Sequence, residues 1–397
     1  MSVGRSGFKK KEMRIQFDPN RVAQIIKEND VDSLIQYHET HAIRFHGLSI
    51  PDSPIKNGPF DTKNLSEAHL AAYYNAFECL KYLIENYKLQ YVNTSSGFEP
   101  IHYATLGNSL ECVHYLCKIA HYKIPEIKPK LLKNSPLYLS TSLPDTTVFQ
   151  FLLENLSFSF EEIEVSLQNA INLRKQNFIN IIINHLESNI NYTKKSLNPN
   201  LIKSVIKTNS IEILKSLFRL PIKLLFNSTE EANIVRLAIQ KNNIEMFNLL
   251  LKRRFIDIPS LSEKNSLLHL AAKTGNPEMI QFILENIEKT DVKALDAYGN
   301  NAAFYVTNLD DIKSVECFKL LIDAGISINS CCNSVHLFSH VICDNRTIPE
   351  VVLFFLNNGV NLDLVGLSDK TLYEIGLITA SPLNKEILIS WKKNSEN

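Results

Sequence analysis

Four residues near the C-terminal end follow in the order Cys-x3-His-x3-His-x2-Cys: Cys332, His336, His340 and Cys343, with Cys331 adjacent. Two thiolates and two imidazoles make a competent tetrahedral zinc set. On a helix, His336 and His340 share a face one turn apart. A second grouping, Cys117 with His114 and His121, offers a thiol beside imidazoles, the pairing that activates a nucleophilic cysteine. Three further histidines, His69, His102 and His269, stand in similar surroundings. Each of these can be a reactive group or a scaffold residue, and the wider pattern separates the two.

Those three histidines open near-copies of one phrase: Ser66-Glu67-Ala68-His69-Leu70-Ala71-Ala72, Glu99-Pro100-Ile101-His102-Tyr103-Ala104 and Ser266-Leu267-Leu268-His269-Leu270-Ala271-Ala272. A Glu follows nine residues after each His (Glu78, Glu111, Glu278), then a second apolar stretch. The marker position falls at His69, His102, Tyr138, Ala170, Lys203, Arg236, His269, Phe304, His336 and Tyr373, most often 33 residues apart. A fixed period of this length means stacked small units, not one enclosed core. A residue that returns at one structural position serves the scaffold, so three active sites are not needed. His336 is itself a marker, so the zinc set competes with a structural His beside buried thiols, and the second reading is favoured. No Gly-rich phosphate loop and no Gly-x-Ser-x-Gly elbow occurs. The expectation is no enzyme, no catalytic residue, no metal and no cofactor.

The elements that carry the pattern are helix pairs. Three residues before the marker stand Ser66, Glu99, Ser135, Leu167, Asn200, Asn233, Ser266, Asn301, Asn333 and Lys370. Ser and Asn cap helix starts, and Pro100 and Pro136 follow at the first helical position, where no hydrogen bond is lost. Leu167 and Lys370 break the rule, although Thr371 can cap one residue later. The second helices are apolar at helical spacing, as in Cys79-Leu80-Tyr82-Leu83-Ile84 and Ile280-Phe282-Ile283-Leu284, so one face of each must be buried by its neighbours. A first unit starts near Arg21, and an insertion at about 44–60, rich in Pro and Gly, reads as a loop.

The 397-residue chain carries 42 basic and 42 acidic residues, so no global charge favours nucleic acid or a membrane surface. No apolar run approaches a spanning helix. Seven cysteines, three of them (Cys79, Cys112, Cys317) at equivalent second-helix positions, read as reduced thiols in the cytoplasm or nucleus. Residues 1–20 read as a basic disordered tail, 21–390 as the array and 391–397 as a C-terminal tail.

Leu267–Gly275, Lys319–Asn329 and Phe354–Asp363 resemble the ankyrin-repeat family in its helix start, its Ala-Ala packing and its Gly-ended second helix. The resemblance implies an all-α solenoid of about 11 helix-turn-helix repeats with outward hairpins, a concave face lined by first helices, and function by protein binding. Units from about 135 to 250 match by period and capping alone.

If so, residues four and five beyond the marker line that face. Early units supply Tyr73, Tyr74, Leu106 and Leu143; later ones Arg174, Lys175, Lys207, Lys241 and Lys273. Tyr is a favoured interface anchor, and a basic stripe steers an acidic partner. Hairpin tips add Phe98 with Glu99, Lys264 with Asn265, and Tyr298 with Asn300. The expected activity is that of a monomeric scaffold or adaptor binding an acidic or extended protein segment. The alternatives are nucleic-acid or other polyanion binding through the stripe, a module of an enzyme, and a plain spacer. Ordinary solvated lysines also explain the stripe.

Overall fold

A computed structural model of the chain describes residues 17–41, 46–50, 60–120, 129–189, 192, 195–220, 222, 228–252, 266–287, 291–306, 309–366 and 369–395. The basic stretch through residue 16, most of the insertion, His121, Lys264 and Asn265 lie outside the described residues. The chain divides into two units, Met1–Lys195 with Leu220–Ile222, and Ser196–Arg219 with Lys223–Asn397.

In the first unit the helices are α1 (Pro19–Lys27), α2 (Val31–Thr40), α3 (Glu67–Tyr73), α4 (Phe77–Tyr87), α5 (Pro100–Leu106), α6 (Leu110–Ala120), α7 (Pro136–Ser140), α8 (Thr147–Asn155), α9 (Phe160–Asn172) and α10 (Gln176–Ser188). They form two layers. First helices α1, α3, α5, α7 and α9 pack in succession, and second helices α2, α4, α6 and α8 do the same behind them. Helix α3 is buried from Glu67 to Ala72, because Ala68, Ala71 and Ala72 let neighbouring backbones approach. Helix α4 buries Cys79, Leu80, Leu83 and Ile84, the spacing of a single helical stripe.

The second unit repeats the plan with α11 (Pro199–Thr208), α12 (Ile211–Arg219), α13 (Ser228–Gln240), α14 (Ile244–Lys252), α15 (Leu267–Thr274), α16 (Pro277–Asn286), α17 (Lys313–Asp323), α18 (Leu337–Ile342), α19 (Pro349–Asn357), α20 (Leu372–Thr379) and α21 (Pro382–Ser395). Its first layer runs α11, α13, α15, a 3-10 turn at Ala302–Tyr305, α18 and α20; its second runs α12, α14, α16, α17, α19 and α21. A two-residue hairpin, β1 (Cys331–Cys332) with β2 (Val335–His336), pairs Cys331 with His336.

Capping explains most helix starts. Side chains of Ser66, Ser135, Ser266 and Asn301 accept backbone N–H bonds from the following turn, and Thr371 caps α20. Four expected starts move. Asn333 lies in the turn of the β1–β2 hairpin, and α18 begins only at Leu337; the other three helices start earlier. Leu167 is interior to α9, which begins at Phe160 with a reciprocal Ser159–Glu162 capping box. Asn198, not Asn200, caps α11. Asn233 lies inside α13. In these last three units the first helix extends toward its N-terminus, so the marker no longer sits at the third helical residue.

The turn between helices keeps better register than the start. Asn75, Asn108, Asn209, Asn242 and Gly275 all have left-handed φ and all lie six residues past a marker. Asn tolerates that backbone because its short side chain bonds locally. Arg174 holds the same turn at φ 57°, so the structural marker of that unit is Gln168, not Ala170.

Candidate functional site

Three marker histidines, His69, His269 and His336, are clasps between repeats. His69 Nδ1 accepts from the Ser66 backbone N–H at 3.2 Å, so the ring proton is on Nε2, which donates to the Phe98 carbonyl at 3.0 Å. Burial pushes this imidazole down to about 4. His269 Nε2 reaches the Asn300 carbonyl at 2.9 Å, and His336 Nε2 reaches the Val365 carbonyl at 3.3 Å. A tyrosine one residue after the next marker completes the clasp. Tyr103 meets His69 edge to face at 4.9 Å, and Tyr305 meets His269 at 5.6 Å. Tyr305 also donates to Asp296. Burial alone would raise the Asp296 carboxyl, but bonds from Tyr305, Asn300 and Tyr298 hold it below the usual range. The clasps thus fix the hairpins that carry the tips.

In the first unit Tyr73 and Tyr74 end α3 and are half-buried. Their rings meet edge to face at 5.1 Å, and Lys27 Nζ lies 4.9 Å over Tyr74. The Tyr73 carbonyl accepts from Ser109 Oγ at 3.1 Å, and Gly107 approaches it so closely that an added Cβ would overlap that oxygen. Leu106 is half-buried nearby in sequence, on α5. Arg174 is exposed in its turn.

Three expectations are corrected. Phe98 is 2% exposed and packs on Phe60 at 4.4 Å, so it is a core residue of the hairpin, not a contact at its tip. Leu143 is buried. Lys175 is half-buried: its ammonium donates to the Leu143 carbonyl and lies 5.2 Å over Phe178. Burial lowers its pKa. It caps a neighbouring repeat rather than facing a partner.

In the second unit Lys207, Lys241 and Lys273 are exposed, each one or two residues before a left-handed turn. A side-chain ladder joins those turns. Asn243 Nδ2 donates to Asn209 Oδ1 at 2.6 Å, and Asn276 Nδ2 donates to Asn242 Oδ1 at 2.7 Å. The ladder ties together the turns that follow these lysines in consecutive repeats. Tyr298 is 71% exposed at its hairpin tip, and Asn333 bonds its carbonyl. Leu295, 60% exposed on the same hairpin, was not singled out by the repeat pattern, because it lies outside the marker-plus-four rule.

The reactive groupings dissolve. Cys332 is buried in the hairpin, His336 Nε2 reaches the Val365 carbonyl, and Cys343 Sγ faces Thr379 Oγ1 at 3.4 Å. Among the described residues no three His, Cys, Asp or Glu side chains converge as metal ligands. Burial raises the Cys117 thiol to about 11, the reverse of activation. Cys79, Cys112 and Cys317 are buried, with thiols pushed up to about 12. Among the described residues no helix is long and apolar enough to cross a membrane.

Paired helices in two layers, clasped hairpin to helix, define an ankyrin-type repeat protein. A family model described as ankyrin repeats matches residues 53–128, 201–296 and 235–332, more than half of the chain, and the chain belongs to that family. The crystal structure of the ankyrin repeat domain of Bcl-3, titled a unique member of the IkappaB protein family, is similar over 57% of this chain and 97% of that one, at 15% identity and a TM-score of 0.39. No curated protein matches the sequence.

Proposed function

We propose that this chain is a non-enzymatic binding scaffold whose first-helix layers hold an acidic or extended protein segment. Ankyrin repeats are generally protein-interaction modules. What supports a site here is that Lys207, Lys241 and Lys273 are exposed in consecutive repeats whose turns are tied by the asparagine ladder. Exposed cations raise the on-rate of an acidic segment. Tyr73 and Tyr74 in the first unit supply a separate aromatic patch, and Leu106, Arg174 and Tyr298 are further contacts. The scaffold works as a monomer in the cytoplasm or nucleus.

The test is stopped-flow binding of a dye-labelled oligoglutamate peptide. Reversing Lys207, Lys241 and Lys273 to Glu should slow association and flatten its salt dependence, whereas unchanged rates in that variant discard these lysines as a site. The same lysines would also take a nucleic acid. A mobility-shift titration at two salt concentrations separates the readings, because phosphate contacts give a steep salt slope.

A further inference from the structure

The first-helix layer of the second unit has a gap. Where neighbouring units place α15 and α18, the unit between them has only the 3-10 turn Ala302–Tyr305. Val306 then turns extended, at φ −61° and ψ 117°, so the inner helix ends after one turn. The flanking elements reach past it and leave a cleft of about 400 Å³, at the small end of the range for ligand clefts, about 300–1,000 Å³. Its floor is Phe304, Val306 and Leu309, and its walls are Lys273 and His340. The His340 ring tilts against Phe304 at 5.6 Å. Desolvation lowers the pKa of this imidazole, while Asp344 and the Phe304 backbone oppose the shift.

The charged lining holds two cations and one carboxylate, Asp344. Lys273 stands on one side. Arg346 stands on another, its guanidinium 66% exposed, paired with Asp344 through Nε at 3.0 Å and Nη2 at 2.6 Å. Arginine carries five N–H donors, so this pair orients the guanidinium without exhausting it. An apolar lining that includes Phe304, with two cations beside it, suits a side chain that is apolar and sits beside an anion.

We infer that this cleft takes one aromatic side chain of an extended partner peptide, with a neighbouring carboxylate of that peptide on Lys273 and Arg346. This rests on the scaffold reading above and names the chemistry of the segment it holds. Such a cleft discriminates twice. A purely acidic segment leaves the apolar lining empty, and a purely apolar one gains nothing from the two cations.

Fluorescence anisotropy on the full chain tests this with three dye-labelled peptides: one Trp flanked by Glu, the same with Trp→Ala, and the same with Glu→Gln. The first should bind about tenfold or more tighter than the second, and the third should be weaker and less sensitive to salt. Arg346→Glu, on an exposed side chain, should weaken the first peptide several-fold with an unchanged thermal melt. A benzoylphenylalanine peptide in place of Trp should crosslink to Phe304, Val306, Leu309 or His340. Equal binding of the first two peptides, lost on reversing Lys207 and Lys241 but kept in Arg346→Glu, overturns the cleft and leaves the scaffold reading standing. Binding by none of the peptides, nor by oligoglutamate, removes both.

Discussion

His69 and Phe98 are joined across adjacent repeats by an Nε2–H bond of 3.0 Å to the Phe98 carbonyl, inside a fully buried pocket. The ring's other nitrogen accepts from Ser66 N–H, so a second proton has no place to go without breaking the cap. Burial accordingly holds the imidazole near 4, against an ordinary value near 6.5. Above about pH 6.5 the ring is neutral in folded and unfolded chains alike. As pH falls from there toward 4, the unfolded chain takes the proton first, so stability falls with it. The loss attributable to this one ring approaches about 3 kcal/mol by pH 4. Urea melts of the wild type and of His69→Gln, which keeps an N–H donor without titrating, should show a flatter pH dependence in the variant. Parallel curves would refute the assignment.

Gly107 carries a steric prediction. Any Cβ there overlaps the Tyr73 carbonyl oxygen, which is backbone and cannot swing aside. Gly107→Ala should therefore cost about 1–3 kcal/mol, measured by chemical denaturation. Because it pushes on Tyr73 directly, it should also disturb the Tyr73–Tyr74 edge-to-face pair, seen as a change in tyrosine near-ultraviolet circular dichroism. A destabilisation below about 0.5 kcal/mol would mean the turn relaxes freely.

The asparagine ladder separates two costs. Asn242 has φ 54° and accepts from Asn276. Asn242→Gly keeps the backbone conformation and loses the bond, about 1 kcal/mol. Asn242→Ala loses the bond and adds left-handed strain, a further 1 kcal/mol or so. The ordering Asn over Gly over Ala in midpoint stability is the expected outcome, and Ala at or above Gly contradicts it.

Much of the fold was legible because two signals coincide in the first unit's Ser66-to-His69 start: period and cap chemistry. Where only the period survives, as at Leu167, the start was misplaced, since Ser159 and Glu162 offer a better cap a full two turns earlier. Asn209 and Asn242 keep a 33-residue spacing in the later degenerate repeats, but the unit at Leu167 holds Arg174 in that turn, which the sequence does not mark. The site was less legible. A rule that places side chains by offset from the marker finds Lys207, Lys241 and Lys273, but it cannot see that Lys175 reaches back to the Leu143 carbonyl or that Phe98 is sealed by Phe60. Nor can it see the cleft beside His340, which arises from a helix turn that is missing.

Core packing gives a last contrast within one helix. The repeat pattern makes Leu270, which follows His269, the natural core position of α15, by analogy with fully buried Leu70. The structure leaves Leu270 half-buried and buries Leu268 to 1% exposure instead. Truncating Leu268 to Ala removes side-chain atoms that the neighbouring helices cannot replace, and should cost about 2–5 kcal/mol. Truncating Leu270 to Ala should cost clearly less, because water already covers part of that side chain. In a stack each unit is held largely by its nearest neighbours, so hydrogen exchange in the Leu268→Ala variant should accelerate in α13 and α16 as well as in α15, and leave α3 to α6 unchanged. Equal costs for the two leucines, or faster exchange confined to α15, would show that this helix is not coupled to its stack in the way its burial implies.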